Sequence, residues 1–217
     1  MVSLDQIEIN GNKGSIPNSF IHRRKSKKIA LMFPGMGYTC QGPLLYYTTL
    51  LLVDCGYDVL QINYQYGDNF KRLPEKRQEE LFYSDIDAAY DAVTKMHYNE
   101  TTIVGKSIGT EAMVHLLKSR EIDRNAWLVW LTPVMNNMHV LEALRENPAF
   151  REKSIIIAGT KDRYFDLSVL GKIRRERLAK IITVQGADHS LDAENDYETS
   201  IKNIMRTMSH IENFISR

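Results

Sequence analysis

Short apolar segments typical of buried strands alternate with helical patterns along most of this chain. KIALMF, DVLQINY, TTIVG, AWLVWLTP, SIIIAGT and KIITVQG are each followed by a stretch with helical character. A continuous apolar run suits a strand that is buried on both faces, as strands of parallel sheets are. The alternation therefore predicts an α/β fold with a mostly parallel, twisted sheet and helices on both faces.

Two regions depart from this alternation. Near the N-terminus, LDQIEIN and SFIHRR read as short strands around the turn-rich GNKGSIPN, which predicts a hairpin. Between AWLVWLTP and SIIIAGT, the insert of about residues 134–152 holds only a short helical pattern, HVLEALREN, so we expect a minimal cap. A chain of 217 residues suits one α/β domain, and we expect residues 1–217 to form it.

Charge and apolarity limit the partners of the chain. A net charge of +1 gives no reason to expect binding to nucleic acid or to an anionic membrane surface. The N-terminus lacks the pattern of a signal peptide, and Asp54 and Gly56 interrupt the most apolar stretch before it reaches membrane-spanning length. We therefore expect a cytoplasmic protein. The sequence leaves its oligomeric state open.

The two cysteines, Cys40 and Cys55, have no metal-type spacing with histidine and are too few for a disulfide framework. We interpret them as free thiols. No other cluster of metal-ligating residues stands out, so we expect neither a metal nor a cofactor.

The segment TTIVGKSIGTEA places Ser107 between Gly105 and Gly109, at the junction of a predicted strand and a predicted helix. In this setting G-x-S-x-G predicts a nucleophile elbow, a turn so sharp that it lifts the serine clear of the sheet. The alternative is a glycine-rich turn with an idle serine. A phosphate-binding loop is disfavoured because G-x-x-x-x-G-K-[ST] is absent.

A serine hydroxyl needs a base to accept its proton. His189, in ITVQGADHS, follows the last predicted strand and precedes the last helix, which puts it at the same sheet edge as Ser107. We predict that His189 is the base. The other histidines occupy less suitable positions: His22 in a hairpin edge, His139 in the insert, His97 at a helix end, and His115 and His210 within helices.

The base in turn needs an orienting acid. SIIIAGTKDRYFD offers Asp162 and Asp166 after a predicted strand, and Asp162 is closer to the strand end. Asp166 precedes a helical pattern, where capping is the simpler role. Asp188 adjoins His189 in sequence and should point away from it. We therefore choose Asp162.

The chain order Ser107, Asp162, His189, together with the elbow, resembles the α/β-hydrolase superfamily. The resemblance extends from KIALMFPGMG to the last helix, and it is closest to small, nearly lidless members such as dienelactone hydrolases and compact carboxylesterases. It implies that Ser107 is the nucleophile, that His189 acts first as general base and then as general acid, and that Asp162 orients His189.

Such chemistry also needs N–H groups that stabilise an oxyanion. The N–H of Ile108, directly after the nucleophile, is one expected donor. The second should come from the loop FPGMGYTC, where many relatives carry His-Gly and this chain has Pro34-Gly35. By that match the donor is the N–H of Met36. The alternative is a glycine-rich turn that serves only the chain path.

Four side chains near strand ends or the elbow are predicted to line the substrate pocket: Tyr38, Lys106, Met135 and Tyr164. We predict a serine hydrolase acting on a small carboxylic ester or thioester, with a preference for short acyl chains because the insert is short. Two alternatives are a non-catalytic member that binds a small molecule or a protein, and an acyltransferase on the same scaffold.

Overall fold

A computed structural model of the protein describes residues 2–12, 14–23, 25–64 and 66–216. The described residues form ten strands: β1 (Val2–Asp5), β2 (Asn10–Gly11), β3 (Gly14–Ser15), β4 (Asn18–Arg23), β5 (Lys28–Phe33), β6 (Tyr57–Ile62), β7 (Glu100–Lys106), β8 (Trp127–Leu131), β9 (Ser154–Gly159) and β10 (Lys180–Val184). Eight of them make one sheet in the order β1-β4-β6-β5-β7-β8-β9-β10.

The sheet is mostly parallel, as the alternation of patterns predicted. All strand pairs from β6 to β10 across the sheet are parallel, and only β1 with β4 and β4 with β6 are antiparallel. The two N-terminal segments pair as β1 and β4, and the turn-rich stretch between them forms a small ladder of β2 with β3. Arg24, the last residue of the second predicted segment, lies outside the described residues.

The helices cover both faces of the sheet. Their bounds are α1 (Pro43–Asp54), α2 (Asp68–Lys71), α3 (Glu75–Thr94), α4 (Ile108–Ser119), α5 (His139–Glu146), α6 (Leu167–Arg175) and α7 (Tyr197–Ile215). Buried residues of α1 and α7 form one apolar core against the sheet, and those of α3 to α6 form a second core on the other face. The single turn α2 was not predicted, because four residues carry no periodic signal.

The insert between β8 and β9 belongs to the second core. Helix α5 buries Val140, Leu141, Ala143 and Leu144 and packs against α4. Its apolar side chains therefore face the body of the protein, and the insert adds to the core.

The parallel strands carry their C-terminal ends to one edge of the sheet. The last residues of β5 and β7 come close because Phe33 is in register with Gly105, and those of β9 and β10 because Gly159 is in register with Val184. The loops that follow these four strands therefore meet at the edge where α/β sheets bind their ligands.

Candidate active site

The turn from β7 to α4 holds Ser107 in an unusual backbone conformation. Its φ of 55° and ψ of −121° lie where residues other than glycine are strained. The backbone keeps this geometry because the Ser107 N–H donates to the carbonyl of Leu131 at 3.1 Å and the Ser107 carbonyl accepts from Thr110 at 2.8 Å. The residue that carries the hydroxyl is therefore itself held in a strained conformation.

The glycines on either side allow this turn to close. A Cβ atom at Gly105 would overlap the carbonyl oxygen of Gly109, and a Cβ atom at Gly109 would overlap the carbonyl oxygen of Phe33. Both obstacles are backbone atoms that cannot rotate away. Helix α4 can therefore start directly behind the β5 and β7 strand ends only if both positions lack a side chain.

His189 lies on the loop after β10, with one ring nitrogen directed at Ser107 and the other at Asp162. Its Nε2 lies 2.7 Å from Ser107 Oγ, and its Nδ1 lies 2.7 Å from Asp162 Oδ2. The carboxylate is almost fully buried at 1 % exposure, whereas the imidazole keeps 24 %. The structure thus brings the predicted nucleophile, base and acid into one hydrogen-bonded chain.

Backbone contacts hold Asp162 in place and assign the other two acids elsewhere. Asp162 Oδ1 accepts from the N–H of Tyr164 at 2.9 Å, which leaves Oδ2 for His189. Asp166 caps α6 by accepting from the N–H groups of the first turn. Asp188 instead accepts from N–H groups of its own loop.

Three of the competing histidines lie within hydrogen-bonding distance of other carboxylates: His22 of Asp5, His115 of Asp87, and His139 of Glu111.

The loop of residues 34–38, after β5, lies against the serine turn. A Cβ atom at Gly35 would be 3.3 Å from the Cβ of Ser107. The loop is closed by a bridge between Gly35 and Tyr38, in which the Tyr38 N–H donates to the Gly35 carbonyl at 3.3 Å. Ile108 opens α4, where N–H groups have no partner within a helix. Donation by Met36 and Ile108 to a bound oxyanion stays a prediction.

Two of the four side chains predicted to line the pocket flank this chain of residues. The ring of Tyr164 meets the ring of His189 edge-on at 5.1 Å between centroids. Tyr38 is half-buried beside Gly35.

The other two side chains do not line an open cleft, which corrects the prediction. Met135 is fully buried, because it packs into the core between the sheet and the helices α3 to α6. Lys106 is 1 % exposed, because its side chain runs beneath Tyr38.

A family model described as an alpha/beta hydrolase domain matches residues 26–216, nearly the whole chain. The chain belongs to the α/β-hydrolase family. Among curated protein sequences, none matches this α/β hydrolase.

Solved structures share the fold of this α/β hydrolase at low sequence identity. A serine hydrolase without a lid from Xanthomonas campestris is 12% identical, with a TM-score of 0.71 and 99% of this chain and 94% of that one covered. A Pyrococcus furiosus esterase is 13% identical, with a TM-score of 0.71 and coverages of 99% and 91%. Dienelactone hydrolase from Anabaena variabilis is 14% identical, with a TM-score of 0.66 and coverages of 99% and 97%. At these identities the likeness shows the fold alone.

Two clefts of this α/β hydrolase meet at Met36, which is 51% exposed. The larger, of about 880 Å³, extends from the 34–38 loop to Gln41, Asn63, Tyr64, Tyr66 and Lys71. The smaller, of about 390 Å³, is lined by Phe82, Tyr83, Ile108, Glu111 and His139 among others. Tyr64 and Tyr66 lie at or just after the end of a predicted strand, which makes them candidate pocket walls from the sequence. The α3 side chains were missed, because their helical spacing is typical of core packing.

Burial shapes the electrostatics around the serine turn. It lowers the pKa of Lys106 to about 8, although the carboxylates of Asp162 and Asp188 favour its charged form. Burial also raises the pKa of Tyr38.

The described part of the chain contains no helix long and apolar enough to cross a membrane. It also contains no group of three or more His, Cys, Asp or Glu side chains arranged to hold a metal ion.

Proposed function

We propose that this α/β hydrolase is a serine hydrolase that cleaves a small carboxylic ester or thioester through an acyl-enzyme. The observation that carries the proposal is the hydrogen-bonded chain from Ser107 Oγ through the His189 ring to buried Asp162. This is the arrangement that a hydroxyl needs in order to lose its proton as it attacks. Membership of the family supports hydrolase activity in general.

In the acylation half, Ser107 Oγ bonds to the carbonyl carbon of the substrate while His189 Nε2 takes the hydroxyl proton. The carbonyl oxygen becomes an oxyanion, for which the N–H groups of Ile108 and Met36 are the proposed donors. His189 then gives its proton to the departing alkoxide or thiolate. The alcohol or thiol leaves, and the acyl group remains on Ser107.

In the deacylation half, His189 takes a proton from a water molecule whose oxygen attacks the acyl carbon. The second oxyanion collapses, the carboxylic acid leaves, and the proton returns from His189 to Ser107 Oγ. Asp162 accepts the Nδ1–H of His189 throughout, and this stabilises the imidazolium that forms in each half. The sequence of steps balances without a cofactor.

Labelling and turnover test the proposal together. A fluorophosphonate should modify the wild-type protein at Ser107, and a panel of p-nitrophenyl esters and matched thioesters should be hydrolysed. Ser107→Ala should lose the label and lower kcat by roughly 10³-fold or more. Ser209→Ala, on the exposed face of α7 where the hydroxyl donates to the Met205 carbonyl, is the matched control.

Three outcomes would contradict the proposal. Full activity in Ser107→Ala would remove the serine from the chemistry. A wild-type protein that neither reacts with the phosphonate nor cleaves any substrate would indicate a binding protein. Acyl transfer to an added alcohol that strongly outpaces hydrolysis would indicate an acyltransferase.

A further inference from the structure

Lys106 is a buried cation next to the nucleophile, and the proposed chemistry does not use it. It is the last residue of β7 and one of the largest side chains that are almost fully buried. Within the described part of the chain it forms no ion pair. Burying an unpaired charge is unfavourable for folding, so the position needs an explanation other than stability.

The side chain of Lys106 lies along the 34–38 loop. Its Cδ atom is 3.5 Å from the place where a Cβ of Gly35 would be. Its Nζ lies over the ring of Tyr38, 4.4 Å from the centroid, within the range of a cation–π contact. The aliphatic part therefore packs at the start of the loop and the ammonium at its end.

Tyr38 is also held from its other side. A Cβ atom at Gly42 would overlap the Tyr38 ring, which shows how closely the chain passes over it. The Tyr38 hydroxyl accepts from the N–H of Leu44, in the first turn of α1, at 2.9 Å. The ring is thus held between α1 and Lys106. Because Tyr38 is bridged to Gly35, a fixed position of Tyr38 also restrains the rest of the loop.

We propose that Lys106 is a positioning residue that holds the 34–38 loop against Ser107 through its contact with Tyr38, and so places the Met36 N–H where the oxyanion forms. The inference rests on the proposed function. The physical reason is that one residue, adjacent in sequence to the nucleophile, contacts the loop that carries the second donor. Lys106 thereby links the position of the donor to that of the nucleophile. Preorganised donors of this kind contribute most when they need not move during the reaction.

The same burial excludes direct recognition of an anionic substrate by Lys106. With 1 % of its surface exposed beneath Tyr38, the ammonium is out of reach of a ligand in either cleft. Asp162 and Asp188 favour its charge and Arg163 opposes it.

The test combines charge removal with a readout that is specific for the oxyanion. Lys106→Met keeps the length of the stem and removes the charge, Lys106→Arg restores a cation, and Lys202→Met, exposed on α7, is the matched control. Each variant is assayed on a p-nitrophenyl oxoester and on its thionoester. In the thionoester the charge develops on sulfur, which accepts hydrogen bonds from the donors poorly, so the oxo-to-thiono ratio of kcat/KM reports on the oxyanion site.

We expect Lys106→Met to lower kcat on the oxoester by roughly 10- to 100-fold with little change in KM, since a small misplacement of a donor has effects of this size. The oxo-to-thiono ratio should fall with it, and Lys106→Arg should recover part of both. Tyr38→Leu should reproduce the loss, and the double variant should be no worse than either single one, because both remove the same contact.

Unchanged kcat and ratio in Lys106→Met would overturn the inference, as would equal losses on both substrates or additive losses in the double variant. Should Lys106→Met fail to fold, as judged by circular dichroism, the ratio for Tyr38→Leu decides instead. A failure of the proposed function looks different, because the wild-type protein itself would then be unlabelled at Ser107 and inactive on every ester.

Discussion

The Nε2 atom of His189 lies 2.7 Å from the Oγ atom of Ser107, although the two residues are 82 positions apart in the chain. The other ring nitrogen lies 2.7 Å from Asp162. When Nδ1 donates its hydrogen to this carboxylate, the lone pair of Nε2 faces the hydroxyl. The imidazole is then oriented to accept the proton before any substrate binds.

Asp162→Asn should lower kcat by roughly 10³- to 10⁴-fold, because an amide NH₂ can hold His189 in the wrong tautomer, with its Nε2 protonated. Steady-state kinetics on a p-nitrophenyl ester measure the effect. The matched control is Asp166→Asn, which keeps a good N-cap for α6 and should leave kcat unchanged. A large loss in the control and none in Asp162→Asn would transfer the orienting role to Asp166.

Catalytic efficiency should stop rising beyond acyl chains of about six carbons. The insert between β8 and β9 turns its apolar side chains into the core, so they are not available to cover an acyl chain, and the larger cleft beside Met36 has Gln41, Asn63 and Lys71 among its tyrosines. Additional methylenes would remain in water and would not gain the roughly 0.8 kcal/mol that each contributes when buried. The measurement is kcat/KM across p-nitrophenyl esters from acetate to palmitate. A steady rise up to the longest chain would show that a deep apolar tunnel exists.

Lys106→Met should be more stable than the wild-type protein at pH 7. Burial lowers the pKa of Lys106 from 10.5 to about 8, so the folded protein releases this proton before the unfolded chain does. Below pH 8 both states are protonated and the full cost of about 3 kcal/mol is present. Loss of the cation–π contact offsets about 1 kcal/mol of this. We therefore expect the free energy of unfolding of Lys106→Met to exceed that of the wild-type protein by about 2 kcal/mol at pH 7.

The gain should depend on pH in a defined direction. From pH 8 to 10.5 the unfolded chain binds more protons than the folded protein, so the wild-type protein becomes more stable relative to Lys106→Met and the difference shrinks. Urea titrations of both proteins between pH 6.5 and 10 measure it. A variant that is less stable at pH 7, or a difference that grows with pH, would contradict the expectation.

Gly109→Ala should prevent correct folding or lower stability by several kcal/mol, because the new methyl group would overlap the carbonyl oxygen of Phe33. Gly171→Ala is the matched control. Gly171 lies within α6 with open space around it, so alanine there should raise the free energy of unfolding by roughly 0.5–1 kcal/mol. Thermal unfolding followed by circular dichroism compares the two. Equal stability of the two variants would show that the turn can relax around a side chain.

The sequence by itself determined the order of strands and helices and the place of the serine. Both follow from local physics, since buried parallel strands need continuous apolar runs, and the turn at Ser107 needs glycine where backbone atoms approach each other. The positions of His189 and Asp162 after strand ends could be predicted from the sequence for the same reason. Parallel topology carries those ends to one edge of the sheet, whatever the loops between them do.

The sequence favoured Asp162 over Asp166, four positions away, because a helical pattern follows Asp166, and in the structure the first N–H groups of α6 bind Asp166. Only the tertiary structure decided which side chains are open to a ligand. From their places at the elbow and after a strand end, Lys106 and Met135 were predicted to line the pocket. Both are buried, because contacts with Tyr38 and with the helical core come from distant segments that no local pattern records.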